Sequence, residues 1–213
     1  MKDCVEIIAD GQLIAVDRNI TLLQALRDNG VNIPSLCFYP SLGGYGSCGL
    51  CVVEVYSSGN WLLRHSCLLY PEEGMQVRTA TLLVQKQRAQ AARLLLRRGP
   101  FHKKEVEEML IALVQEGADV GDLLQKCDSA GAAGEGRAVP LIAGCILCGL
   151  CVRICRKVGK GLLTFLGRGE NLRIGMVLGQ KDDPCGNCRA CRRICPTGFI
   201  TPNARCTFTA SLY

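Results

Sequence analysis

The sequence predicts an α+β chain of three segments. Three observations carry this: alternating strand patterns within residues 1–80, helix-period apolar patterns within 81–138, and one short cysteine motif written twice within 139–213. A length of 213 residues leaves room for two or three small units, and the cysteines fall in separate groups, which favours a modular chain.

The first segment opens with Val5–Ile8 and Leu13–Val16 on either side of Asp10-Gly11, a hairpin-turn dipeptide. Thr21 is placed to cap a short helix that stops at Asn29-Gly30. Val52–Tyr56, Trp61–Arg64 and Met75–Thr79 read as strands, separated by Ser57-Ser58-Gly59-Asn60 and Glu72-Glu73-Gly74. A hairpin, a crossing helix and returning strands suggest a β-grasp arrangement.

In the middle segment, Leu82 to Arg98 is rich in strong helix formers and ends at Gly99-Pro100, a clear stop. A second helix is expected over Lys103 to Gln115, where Val106, Met109, Leu110, Leu113 and Val114 recur at helix spacing opposite Glu105, Glu107 and Glu108. That apolar face is expected to pack on a neighbouring unit. Asp128 to Ala138, DSAGAAGEGRA, is a Gly/Ala linker with too little apolar surface to pack.

Fifteen cysteines require either disulfide partners or metal. The opening MKDCVEIIADGQ has no apolar stretch behind Lys2 of the kind an export signal needs, so a reducing cytoplasm and metal are expected. Apolar runs such as Met109 to Val114 fall far short of the roughly 18 residues of a membrane span, so a soluble chain with no membrane span is expected.

The net charge of +6 is uneven: residues 1–80 carry 5 basic and 8 acidic side chains, 81–140 carry 9 and 8, and 141–213 carry 11 and 3. A basic segment often signals nucleic acid, but aromatic interleaving and a binding motif are both missing. Arg153, Arg156, Lys157, Arg189, Arg192 and Arg193 instead stand among cysteines whose metal-bound thiolates they would compensate.

The repeat is the strongest signal. Residues 145–155, CILCGLCVRIC, and 185–195, CGNCRACRRIC, share C-x2-C-x2-C-x3-C at a period of 40, with Arg153 aligned to Arg193 and Ile154 to Ile194. In this spacing three cysteines wrap one face of an iron–sulfur cubane and the fourth turns toward the neighbouring cluster. Cys145, Cys148, Cys151 and Cys195 are thus expected to hold one 4Fe-4S cluster, and Cys185, Cys188, Cys191 and Cys155 the other. The third cysteine of each loop disfavours zinc. Between the copies, Leu162–Leu166 and Leu172–Leu178 flank GRGEN as a hairpin.

A further set, Cys37, Cys48, Cys51 and Cys67, is spaced C-x10-C-x2-C-x15-C. Gly43, Gly44, Gly46 and Gly49 crowd around it, leaving the backbone free to wrap closely and aim N–H groups at sulfur. Gly44 to Gly49 also fits the dinucleotide fingerprint G-x-G-x-x-G, but no strand precedes it and no helix follows. A structural four-thiolate zinc site is the plainer alternative, although such sites pair two short knuckles and this set has one C-x2-C. Cys4, Cys127 and Cys206 have no C-x2-C neighbour and are expected to be ordinary thiols. His65 and His102 are expected to be a loop and a surface histidine.

The stretch from Cys37 to Cys67, with GYGSCGLCVVEV at its centre, resembles the ferredoxin-like N-terminal domain of the large iron–sulfur subunit of respiratory complex I. It is also similar to the corresponding domains of NAD-linked hydrogenases, NAD-linked formate dehydrogenases and FeFe-hydrogenases. A ten-residue first spacer separates it from plant-type ferredoxins, where the spacer is four. The resemblance implies that Cys37, Cys48, Cys51 and Cys67 hold one 2Fe-2S cluster. It extends over residues 1–98 and 140–205, where the repeat resembles the bacterial-type two-4Fe-4S ferredoxin domain of the hydrogenase and formate dehydrogenase relatives. Many relatives carry an additional 4Fe-4S cluster held by one histidine and three cysteines after the first long helix. The equivalent RRGPFHKKEVEEMLIALVQEG offers His102 and no cysteine, so that cluster cannot form here.

The resemblance further implies an electron-relay subunit within a hetero-oligomeric oxidoreductase, partnered by a flavoprotein that carries FMN and handles NAD(H) and by a further catalytic subunit, with electron bifurcation as one use. The rival reading is a freely diffusing multi-cluster ferredoxin. Catalysis by this chain alone is not expected, because it offers no nucleotide-binding unit, no nucleophile–base pair and no further cysteine group for an active-site metal.

Overall fold

A computed structural model describes residues 3–118, 143–177, 185 and 188–200. In chain order the elements are β1 (Cys4–Ala9), β2 (Gln12–Asp17), α1 (Leu22–Asp28), β3 (Val52–Ser57), β4 (Asn60–His65), β5 (Gln76–Arg78), α2 (Leu82–Leu96), α3 (Lys104–Ala118), α4 (Leu150–Lys157), β6 (Leu163–Leu166), β7 (Arg173–Met176) and α5 (Ala190–Ile194). Cys127, Cys206, Leu178 and the linker at 128–138 lie outside the described residues.

Strands β1 to β5 form one mixed sheet in the order β2-β1-β5-β3-β4, with β1 parallel to β5 and the other pairs antiparallel. This is the β-grasp order. Asp10 and Gly11 both adopt positive φ, 48° and 84°, so the β1–β2 turn follows the strand twist. Thr21 caps α1, its hydroxyl oxygen accepting from the Gln24 N–H at 3.3 Å. Ile7, Val16, Val53 and Val77 on the sheet meet Leu22, Leu23 and Leu26 of α1 in a closed core.

A second core joins the segments. Leu36 and Leu50 from the first, Ala92, Leu95, Val106, Leu110 and Leu113 from α2 and α3, and Ile146, Leu150, Ile154 and Ile194 from the last are buried together. The apolar face of α3 therefore packs as its periodicity predicts. Helices α2 and α3 approach at small residues: a Cβ added at Gly117 would lie 2.3 Å from the Ala89 Cβ.

The boundaries differ in detail. Helix α2 ends at Leu96 rather than Arg98, because the N–H groups of Arg98 and Gly99 turn back to the Leu95 and Leu96 carbonyls. Helix α3 runs past Gln115 to Ala118. Strand β5 has three residues, one fewer at each end than Met75–Thr79. The β6–β7 hairpin pairs Leu163–Leu166 with Arg173–Met176, while Gly169–Asn171 within GRGEN forms a 3-10 turn. No described helix is long and apolar enough to cross a membrane.

Candidate metal centres

Three parts of the chain deliver the first cysteine set. Cys37 follows the extended stretch after α1, Cys48 and Cys51 end the glycine loop before β3, and Cys67 sits in a 3-10 turn after β4. All four are buried, with at most 5% of any residue exposed. The Cys37 thiol hydrogen-bonds with those of Cys48 and Cys67, and Cys51 with Cys67. These bonds hold the Cys37 thiol well below its ordinary value. Cys51 is lowered to about 6, chiefly by Cys67 and to a lesser degree by the charge of His65. Cys48 is pushed far up by its bond to Cys37 and by burial, and Cys67 by its bonds to Cys37 and Cys51.

Backbone donors surround these sulfurs. The Leu36 N–H points at Cys48 Sγ at 3.5 Å, the Leu50 N–H also bonds Cys48, and the Gly46 N–H bonds Cys67. Gly44 is required by space alone, since a Cβ there would fall 1.8 Å from the Cys67 carbonyl oxygen. The element following this loop is strand β3, not a helix, so the G-x-G-x-x-G match has no dinucleotide-binding context.

The eight repeat cysteines sort into two cavities. One is lined by Cys145, Cys148, Cys151 and Cys195, together with Ile174, Thr197 and Phe199. The other is lined by Cys155, Cys185, Cys188 and Cys191, together with Val158, Leu163 and Met176. Each gathers three cysteines of one copy and the fourth of the other. The Leu162 N–H donates to Cys155 Sγ at 3.2 Å, and the Thr197 hydroxyl lies 3.7 Å from Cys195 Sγ. Burial pushes the Cys148 thiol up to about 12 and Cys191 to about 11, and raises Cys145 and Cys151 as well.

This donor set fits iron–sulfur clusters. Among the described residues no three His, Cys, Asp or Glu side chains are arranged around one point as for a single metal ion. A cluster instead distributes four thiolates over several irons, and N–H groups aimed at sulfur suit its anionic charge.

The first and second sets meet. The Ser47 hydroxyl donates to the Cys148 carbonyl, and Tyr45 packs against Gly149, where a Cβ would lie 3.1 Å from its ring. The Arg153 guanidinium donates to the Leu42 and Gly43 carbonyls and stands 5.1 Å from the Tyr45 ring centroid, and Lys157 donates to the Ser41 carbonyl. These two cations, expected among the thiolates of their own repeat, reach across to the glycine loop instead. Arg98 joins the middle segment to the same region through Nε, which donates to the Cys145 carbonyl at 2.6 Å.

Cys4 is exposed, as is His102. His65 ends strand β4 rather than lying in a loop, and its Nδ1 is buried without a partner among the described residues. Sequence reasoning missed Arg27 and Arg88. Arg27 donates to the Ile33 carbonyl at 3.0 and 2.6 Å and to Ser35 Oγ at 2.7 Å, and both arginines feel the charge of Cys51. Nothing in the linear pattern marks them, because their importance comes from where α1 and α2 dock.

Residues 2–81 match the 2Fe-2S iron-sulfur cluster binding domain, and residues 144–204 match the 4Fe-4S dicluster domain. The chain is 29% identical over 212 residues to NADH dehydrogenase [ubiquinone] iron-sulfur protein 1 of Solanum tuberosum, an alignment covering 94% of this chain and 28% of that protein. It is 30% identical over 215 residues to the mitochondrial NADH-ubiquinone oxidoreductase 78 kDa subunit of Neurospora crassa, covering 92% and 27%. The chain thus spans about a quarter of the length of these relatives. Among solved structures, a chain of an NAD+-reducing [NiFe]-hydrogenase in the H2-reduced state superposes with a TM-score of 0.60 at 27% identity, covering 91% of this chain and 85% of that one. Over residues 2–81 the chain is therefore similar to a 2Fe-2S domain and over residues 144–204 to a 4Fe-4S dicluster domain, and it is homologous to subunits of NADH-linked dehydrogenases and to a chain of an NAD+-reducing hydrogenase.

Proposed function

We propose that the chain is an electron-relay subunit of an NAD-linked oxidoreductase, organised as a 2Fe-2S domain at 1–80, a helical connector at 81–138 and a two-4Fe-4S domain at 139–213. Cys37, Cys48, Cys51 and Cys67 would hold the 2Fe-2S cluster. Cys145, Cys148, Cys151 and Cys195 would hold one 4Fe-4S cluster, and Cys185, Cys188, Cys191 and Cys155 the other. When bound, the clusters supply one-electron oxidation and reduction.

The observation that carries this reading is the crossed sorting of the repeat cysteines into two cavities, the first of which is tied to the glycine loop through Ser47 and Cys148. The chain's own residues supply burial, N–H donors and fixed spacing. Leu36, Leu50 and Leu162 present N–H groups to sulfur, and Leu150, Ile154 and Ile174 keep water from the thiols. The partners would be a flavoprotein that handles NAD(H) and a further redox subunit, in the cytoplasm.

Native purification under argon, followed by size-exclusion with flavin, iron and sulfide assays, tests this. A relay subunit elutes in a large complex that contains flavin. Elution alone near 23.0 kDa with all clusters present would instead identify a free carrier.

A further inference from the structure

Arg88 lies on α2 and is only 8% exposed. One guanidinium nitrogen donates at 2.8 Å to the carbonyl of Val52, the residue after Cys51. Its Nε is buried and has no hydrogen-bond partner among the described residues. No described carboxylate forms an ion pair with it; the pair seen among the described residues, Arg18 with Asp3, lies at the surface. Of the negative groups whose fields reach the guanidinium, Cys51 acts most strongly, ahead of Glu116 and Asp10. A buried cation without an ion-pair partner is costly, so a side chain held this way points to an anion that completes it. The cysteine site beside Val52 is where that anion belongs. Arg27, half-buried on α1, feels Cys51 and Cys48 in the same way.

We propose that Arg88 is the buried counter-charge of the 2Fe-2S site and that, with Arg27, it raises the reduction potential of that cluster. The inference rests on the assignment of Cys37, Cys48, Cys51 and Cys67 to a 2Fe-2S cluster. Four thiolates around an oxidised 2+ core carry roughly −2, and one electron makes the site more negative without requiring a proton. A fixed positive charge in a low-dielectric setting favours the more negative state, and it does so more strongly when buried than when screened by water. Arg88 therefore carries the larger share and Arg27 the smaller.

The test is an anaerobic dithionite titration of the full holoprotein, with the reduced 2Fe-2S signal followed by electron paramagnetic resonance, in wild type, Arg88→Gln, Arg88→Lys and Arg27→Gln. Arg88→Gln is expected to shift the reduction equilibrium at least ten-fold, about 59 mV lower for one electron. Arg88→Lys should recover most of that shift, Arg27→Gln should move less in the same direction, and the 4Fe-4S potentials should stay in place. An unmoved 2Fe-2S potential in Arg88→Gln overturns the inference, as does Arg88→Lys behaving like Arg88→Gln, which would leave Arg88 only a structural role. Where Arg88→Gln fails to hold its cluster, Arg27→Gln decides: a lowered potential supports the inference and an unchanged one overturns it. Wild-type protein with no 2Fe-2S signal and a matching deficit of iron and sulfide overturns the assignment and the inference together, whereas a normal signal with an unmoved potential overturns the inference alone.

Discussion

The Ser47 hydroxyl donates a hydrogen bond to the backbone carbonyl of Cys148 at 3.4 Å, joining two cysteine-bearing loops that lie 101 positions apart. Together with the Arg153 contacts to Leu42 and Gly43, it fixes how far the first cysteine set stands from the second. Separation governs electron exchange, so these polar contacts act on rate through geometry.

Arg153→Met, which keeps the aliphatic stem and removes the charged fork, is expected to loosen that junction. Stability should fall by about 1–3 kcal/mol for the lost charged hydrogen bonds. The magnetic interaction between the reduced 2Fe-2S and 4Fe-4S clusters should weaken as well. Denaturant unfolding under argon reads the first, and low-temperature paramagnetic resonance the second. An unchanged magnetic interaction would deny the clasp any part in spacing.

Gly44→Ala places a methyl group where the Cys67 carbonyl oxygen stands. The loop must move, so this variant should lose the 2Fe-2S cluster and keep both 4Fe-4S clusters. Iron analysis should fall by two atoms per chain, with the absorbance of the larger clusters retained.

The proposed crossed ligation predicts opposite outcomes for two variants. Cys155→Ala is expected to damage the cluster held by Cys185, Cys188 and Cys191, and Cys195→Ala the cluster held by Cys145, Cys148 and Cys151. Paramagnetic resonance of each variant distinguishes the two signals. If Cys155→Ala instead removed the cluster of its own loop, the crossed assignment would be wrong.

Loading should depend on pH in a definite direction. Burial raises the Cys148 thiol to about 12 and Cys191 to about 11, from an ordinary value of 9.0, so the folded iron-free chain binds these protons more tightly than the unfolded one. That contribution to iron-free stability is present below pH 9 and is lost as pH rises through the folded values. Metal requires thiolate, so cluster assembly must expel these protons and should slow as pH falls from about 8.5 to 6.5. Reconstitution rates across that range, with proton release followed by an indicator dye, check both parts.

Leu110 is fully buried where all three segments meet. Leu110→Ala should cost about 2–5 kcal/mol, and thermal unfolding should show both domains melting earlier, since the core they share is the one damaged.

Much of this arrangement was legible in the sequence because it is local. Asp10-Gly11 marks the β1–β2 turn, Thr21 the start of α1, and the i, i+3, i+4 spacing of Val106, Met109 and Leu110 the buried face of α3. The repeat spacing also set Cys155 and Cys195 apart from the three cysteines of their own copies, and each lines the cavity of the other copy's three. What was not legible depends on docking. Arg27 and Arg88 look like ordinary helix-surface cations in linear order, and only the seating of α1 and α2 brings them to Cys51. Arg153 and Lys157 stand beside cysteines in the sequence, yet their long side chains extend to carbonyls more than a hundred residues away.

The core in which Leu50, Leu110 and Ile146 are buried together has a consequence for synthesis. When the ribosome has released the β-grasp sheet and the two long helices, the greasy side of α3 still waits for Ile146, Leu150, Ile154 and Ile194, which are translated later. During that interval the nascent protein presents an uncovered sticky surface, and a truncation that stops before residue 145 should aggregate or recruit chaperones even though its sheet is complete.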